Sequence, residues 1–304
     1  MALRGTKPKE RKPRLKALMF SPAGVGKTTA AIQMPRPYVI DTEGGSIHYG
    51  NTITAKGGVV FATNDIDEVI NEVRSLATEA HDYRSLVIDP FTPLYDTKLD
   101  EGEGKVGSDF GRHYGYANKS CKRLFNLLTQ LDMNVIVTCH SKNEYGDGMK
   151  VIGHTFDGWK KLDYLFDLVF ELQRRGAKRV AMVRKTRLPE FPDQDTFEWS
   201  YDALADRYGR ERLEADVETV TFATAAQVAD LSRLLENVRV ADDWLEKCLS
   251  KAGAEEPADL TTDQIGKMID SLNAKLAAPA SASVPTVKKN TKKAEPEPEM
   301  AGVA

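Results

Sequence analysis

The 304-residue chain has only three cysteines, Cys121, Cys139 and Cys248, set far apart and with no C-x-x-C pair. That excludes a disulfide scaffold and a cysteine-based zinc site, and it suits a reducing cytoplasm. No apolar run approaches the roughly 18 residues of a bilayer span, so neither an integral membrane protein nor a membrane partner is expected. Behind the basic start, MALRGTKPKERKPRLK, no apolar segment is long enough for a secretory signal. An excess of positive charge is missing too: 42 Lys and Arg stand against 45 Asp and Glu, a balance of −3. Nucleic acid, if bound, must be met by local patches. What is there is 41% apolar and 29% charged residues, enough to bury one large core or two smaller ones.

Composition divides the chain. Through Lys16 the start carries seven cations against Glu10 alone, with Pro8 and Pro13 opposing a helix, so 1–14 reads as a basic flexible arm. From Leu15 short apolar runs take over: LKALMF (15–20), YVID (38–41), VVF (59–61), SLVID (85–89), NVIVTC (134–139), LVFEL (168–172) and VAMV (180–183). Runs this short and rich in Val and Ile predict strands buried on both faces. Helical spacing lies between them, at Ile66, Val69, Ile70, Val73 and Leu76, and again from Leu124 to Leu131. Alternating strand and helix predicts an α/β fold over 15–213, a parallel sheet flanked by helices. Thr224 with Gln227 and Thr261 with Gln264 are capping-box pairs, and with the segment around Trp244 they predict a three-helix module over 220–276. The Pro/Ala/Ser-rich remainder, 277–304, reads as a disordered tail.

The most specific motif is Ser21-Pro22-Ala23-Gly24-Val25-Gly26-Lys27-Thr28, followed by Thr29. It matches the phosphate-binding pattern G-x-x-x-x-G-K-[ST] except that Ser21 replaces the first glycine. Gly24 and Gly26 let backbone N–H groups turn towards phosphates, and the helix that opens there adds its positive end. Lys27 reaches the outer phosphates and Thr28 holds Mg²⁺ in this reading, so ATP and Mg²⁺ are the expected cofactors. Asp89 ends the strand SLVID, 62 residues past Lys27, and is the second expected Mg²⁺ ligand. Glu43, in Asp41-Thr-Glu43-Gly-Gly after the second strand, is the expected base for the attacking water, with Asp41 structural.

This arrangement resembles the RecA-like ATPases, in which the catalytic glutamate follows the strand after the phosphate loop. It resembles more closely the phage-encoded, RecA-like single-strand annealing ATPases of the Sak type. The resemblance covers about 15–190 and is carried by SPAGVGKTT, VIDTEGG, SLVID, VIVTCH and VRKTR. The chain departs from that pattern at Ser21 and at Pro90 after Asp89. The resemblance implies a slow ATPase that binds single-stranded DNA and anneals strands, assembling with itself as a ring or filament in the (host) cytoplasm, with a single-strand-binding protein as a further partner. A helicase-like or packaging-type motor without annealing activity is the alternative.

Carried over by the resemblance, His140 falls where a polar group senses the γ-phosphate; a plain hydrogen-bonding residue is the other reading. DNA in such proteins lies along the loops after the third and fourth core strands, here 90–115 and 141–161. The second mixes Tyr145, Phe156 and Trp159 with Lys142, Lys150, Lys160 and Lys161, a mixture suited to base stacking and phosphate contact. The basic arm could add salt-sensitive attraction. Finally, Lys185 and Arg187 in VRKTR resemble a pair that reaches the neighbouring subunit's γ-phosphate; solvated cations or a DNA contact are the competing readings.

Overall fold

The computed structural model describes residues 13–277; residues 1–12 of the arm and 278–304 of the tail lie outside the described residues. In chain order the first elements are β1 (Lys16–Ser21), α1 (Lys27–Ala31), β2 (Pro37–Asp41), α2 (Gly50–Ala55), β3 (Val59–Ala62), α3 (Ile66–Thr78) and β4 (Ser85–Asp89). There follow α4 (Thr92–Val106), α5 (Arg112–Gln130), β5 (Asn134–Tyr145), β6 (Val151–Phe156), α6 (Leu162–Leu165), β7 (Leu168–Arg175), β8 (Lys178–Thr186) and β9 (Thr196–Glu198). Five α-helices follow among the described residues: α7 (Tyr201–Tyr208), α8 (Arg210–Glu214), α9 (Ala225–Asn237), α10 (Trp244–Ala252) and α11 (Thr262–Ala277).

The nine-stranded sheet runs β3-β2-β4-β5-β1-β7-β8-β9, with β6 pairing to the far end of β5. Strands β3 to β7 in that order are parallel, so their carboxyl ends share one edge. Side-chain alternation splits the core into two layers. Leu18, Phe20, Val135 and Val137 face α3 and α5, while Ala17, Met19, Ile136 and Phe170 face α1, α7 and α8. Helix α3 forms where the spacing predicts it, capped by Asp65 through its bond from the Asp67 N–H.

The sheet departs from the expected all-parallel form. VAMV lies in β8, which returns antiparallel to β7 as a hairpin, and β9 adds a third antiparallel strand. VVF is not buried on both faces. It forms the edge strand β3: Val59 and Val60 are exposed, and only Phe61 packs partly against the core. Nor are the two expected DNA segments loops. Residues 92–106 form α4, and its approach buries Phe91 and Tyr95 in the core. Residues 141–156 form a hairpin, because β5 runs six residues past NVIVTC and pairs with β6.

Arg14 is buried: its guanidinium grips Asp132 at 3.0 Å and donates to the carbonyls of Arg212 and Ala215. At the other end, both capping boxes form, Thr224 with Gln227 and Thr261 with Gln264. Helices α9 to α11 bury Leu231, Leu249, Leu260, Ile265 and Leu272 among themselves. Asp259 fastens them to the sheet-flanking helices: it is 1% exposed and bonded to Arg123 of α5 at 2.7 Å and Arg74 of α3 at 2.5 Å. No helix among the described residues is long and apolar enough to cross a membrane.

Candidate functional site

The carboxyl edge of the parallel strands gathers the chemistry. After Ser21, which closes β1, the chain turns through Gly24 (φ +76°) and Gly26 (φ +106°), left-handed values that favour glycine. Lys27 to Ala31 then form α1, only five residues long. The Lys27 ammonium donates to the Ser21 carbonyl at 3.2 Å and is thus folded back over the loop. Burial lowers its pKa, against the attraction of Asp89 and Glu43. The Thr29 hydroxyl bonds the Tyr49 hydroxyl at 3.1 Å.

Strand β5 lies between β1 and β4, so its residues sit at the centre of the site. Asp89, at the end of β4, accepts from the Thr28 hydroxyl at 2.5 Å through one oxygen and from the Thr138 hydroxyl through the other. Burial pushes its pKa up, while these two hydroxyls and Lys27 pull it down. A carboxylate beside a hydroxyl is a hard-oxygen pair that leaves positions for water and phosphate oxygens, which fits Mg²⁺. Thr28 and Asp89 are the residues able to hold such an ion. Thr138 was not singled out from the sequence; its only signal there is a hydroxyl inside the apolar run NVIVTC.

Asp41 is spent on its own loop. Its carboxylate accepts N–H bonds from Glu43, Gly45 and Ser46 at 3.2, 3.1 and 2.8 Å. Burial works to raise its pKa, but these bonds and the Ser46 hydroxyl outweigh it and hold the group below the usual carboxylate range. The clamp leaves the Glu43 side chain free to turn outwards. There it meets His140: Oε1 lies 3.1 Å from Nε2, with both side chains about two-fifths exposed. The residue expected as base and the one expected as γ-phosphate sensor are in direct contact. The His140 N–H is fixed in turn by the Thr92 hydroxyl at 3.0 Å.

The other expected residues fall elsewhere. Tyr145 (54% exposed), Lys150, Lys160 and Lys161 stand on the surface around the β5–β6 hairpin. Lys142 also does, paired to Asp157 at 3.0 Å. Trp159 does not: it is 7% exposed and stacked on Phe125 with ring centres 6.0 Å apart, so no base can lie on it. Met149, Val151 and Ile152, unremarked in the sequence, complete an apolar and basic hairpin tip. Lys185 and Arg187 lie across the sheet from the phosphate loop, because Thr186 pairs with Leu168 and Leu168 with Ala17 at the start of β1. Lys185 donates to the carbonyls of Asp163 and Phe166, and Arg187 to Asp167 at 3.2 Å and the Tyr164 carbonyl. The pair is spent inside its own chain, at the amino edge of the sheet, and takes no part in the chain's own phosphate site. The cation that does touch the loop is Arg179, whose Nε donates to the Val25 carbonyl at 3.2 Å.

A family model described as an AAA domain matches residues 14–189, more than half of the chain. The chain belongs to this AAA-domain family. No curated protein sequence matches it. Among solved structures, the chain is similar to a RadB recombinase at 18% identity, covering 61% of this chain and 86% of that one with a TM-score of 0.41. It is similar to a DnaB-like replicative helicase at 12% identity (62% and 54% covered, TM-score 0.40). It is also similar to the type III secretion ATPase EscN of enteropathogenic E. coli at 13% identity (86% and 67% covered, TM-score 0.36). Likenesses this distant assign no function. The fold is that of a P-loop domain: a mixed sheet of nine strands flanked by helices, eight of them within residues 14–189, with the loop after β1 and strand β4, which ends in Asp89, one place beyond β5.

Proposed function

We propose that the chain is a Mg²⁺-dependent, slowly turning ATPase that binds single-stranded DNA and promotes strand annealing. The observation that carries this reading is the Glu43–His140 contact at the root of the β5–β6 hairpin. In this reading Glu43 polarises the attacking water, His140 registers the γ-phosphate, and Thr28 with Asp89 holds the metal ion that offsets phosphate charge. His140 is continuous with Ser141–Tyr145, so a change at the phosphate is passed to the hairpin. There Tyr145 offers a stacking face, and Lys142, Lys150, Lys160 and Lys161 offer phosphate contacts. The chain works as a homo-oligomer, ring or filament, beside a single-strand-binding protein and in a phage-encoded setting, as the Sak-type resemblance implies.

The sequence also raised a trans role for Lys185 and Arg187. Their carbonyl bonds support a structural role at the amino edge instead. Fluorescently labelled complementary strands, mixed with and without protein and ATP, test the whole reading. Faster pairing without strand separation is expected. Vigorous unwinding with no annealing overturns it in favour of a motor.

A further inference from the structure

The turn joining β7 to β8 reads Arg174-Arg175-Gly176-Ala177-Lys178-Arg179, four cations with no acid among them. The pairing register sets Arg174 directly opposite Arg179 and Arg175 opposite Lys178. Opposed residues of an antiparallel pair share a face, and like charges so placed repel. Lys178 is relieved by Glu198 of β9 at 2.6 Å. Arg174 and Arg179 are not relieved. Among the described residues no carboxylate pairs with either; Arg174 turns its Nε to the Gly176 carbonyl at 3.3 Å, and Arg179 turns its own to Val25.

Alternation fixes which face the two arginines occupy. Leu172 and Ala181, each two residues further into its strand, are buried in the layer beneath α1. Arg174 and Arg179 extend that layer to the carboxyl edge, where the phosphate loop stands. Arg179 is packed so closely that a Cβ at Gly26 would collide with its guanidinium. Its terminal nitrogens make no hydrogen bond among the described residues, which leaves the donor fork open.

We infer that Arg174 and Arg179 form an anion subsite on the outer rim of the phosphate loop, and that its ligand is a phosphate group of the bound nucleoside triphosphate. The inference rests on the reading that the loop binds such a nucleotide. Two arginines opposed in register on one face with no acid beside them suit a multiply charged anion, and guanidinium geometry matches phosphate oxygens. The Val25 contact places Arg179 on the loop that cradles those oxygens. Through it Arg179 also positions the loop.

Calorimetric titration of the full chain with ATP, inorganic tripolyphosphate and an oligothymidylate tests this, alongside thermal unfolding. Arg174→Gln and Arg179→Gln should each weaken ATP and tripolyphosphate about tenfold, the loss of one charge-assisted hydrogen bond. Arg179→Lys should recover part of the loss. The unfolding temperature of nucleotide-free Arg174→Gln should hold or rise, since a repulsion is removed; a purely structural arginine would lower it. Undiminished ATP and tripolyphosphate affinity overturns the inference, as does a loss confined to the oligothymidylate. Should Arg179→Gln fail to fold, the exposed Arg174→Gln decides alone. Failure of the nucleotide reading itself looks different: the unmodified chain and Lys27→Ala then bind ATP equally poorly.

Discussion

At the scale of single residues, the site separates groups that do chemistry from groups that hold them. In the proposed reading Glu43 is of the first kind, so Glu43→Gln should keep ATP binding while turnover falls about 10²-fold or more, the usual yield of a positioned base. Lys27→Ala should instead weaken ATP binding itself, because it removes the cation facing the phosphates. A Glu43→Gln protein with unaltered turnover would move the base elsewhere. Thr138 belongs to the second kind. Its hydroxyl holds one oxygen of the buried Asp89 carboxylate, and a hydrogen bond to a charged group contributes about 1.5–3 kcal/mol. Thr138→Val should therefore raise the Mg²⁺ concentration needed for half-maximal hydrolysis; an unchanged Mg²⁺ requirement would show that Asp89 needs no such support.

At the scale of elements, the hairpin and the core part company over two aromatic residues fourteen positions apart. Trp159 is packed on Phe125, and removing a buried large aromatic costs about 3–5 kcal/mol. Trp159→Ala should lower the urea midpoint sharply, whereas Tyr145→Ala, an exposed position, should leave it alone and weaken strand binding. A stable Trp159→Ala protein with lost DNA affinity would reverse the two roles. The sequence could not separate them, since one segment carries both and interleaved lysines mask which ring faces inward. The element types were legible where a local pattern decides them: the Asp65-capped helix, the two capping boxes and the strand before the phosphate loop. Strand direction was not, because VAMV reads the same whether it runs with or against its neighbour. The position of β3 at an edge was equally hidden, for Val59 and Val60 read like the valines of a central strand. At the site, the structure gathers at one sheet edge Lys27, Thr28, Asp89 and Glu43, expected from motif and order, and His140, expected from the resemblance. Arg179 was not, since its place depends on a hairpin register set by residues far from the loop.

At the scale of the whole molecule, acid should find the weak points where carboxylates hold loops and termini. Asp41 and Asp132 both sit below their ordinary pKa. For Asp132 burial works the other way but is outweighed by Arg14 and the Glu218 N–H. A depressed folded-state pKa gives stability that is present above the unfolded value and lost as pH falls through the folded one. Urea midpoints should therefore drop once the pH passes below about 4. A midpoint that stays flat down to about pH 2 would mean that neither carboxylate matters to the fold.

One feature of the sheet reaches further. Strand β5 has twelve residues from Asn134 to Tyr145 and neither glycine nor proline among them. It is a continuous shaft whose pairing with β6 shifts register only between Glu144 and Tyr145, with Thr138 and His140 near the middle and Tyr145, about 17 Å beyond His140, at the tip. On the proposed reading, DNA bound at the tip loads His140, and nucleotide at His140 loads the tip. Linkage makes the traffic symmetrical: ATP changes the affinity for DNA by the factor with which DNA changes the affinity for ATP. Titrating each ligand in the presence and absence of the other measures that factor, and a value of one would mean that the shaft turns nothing.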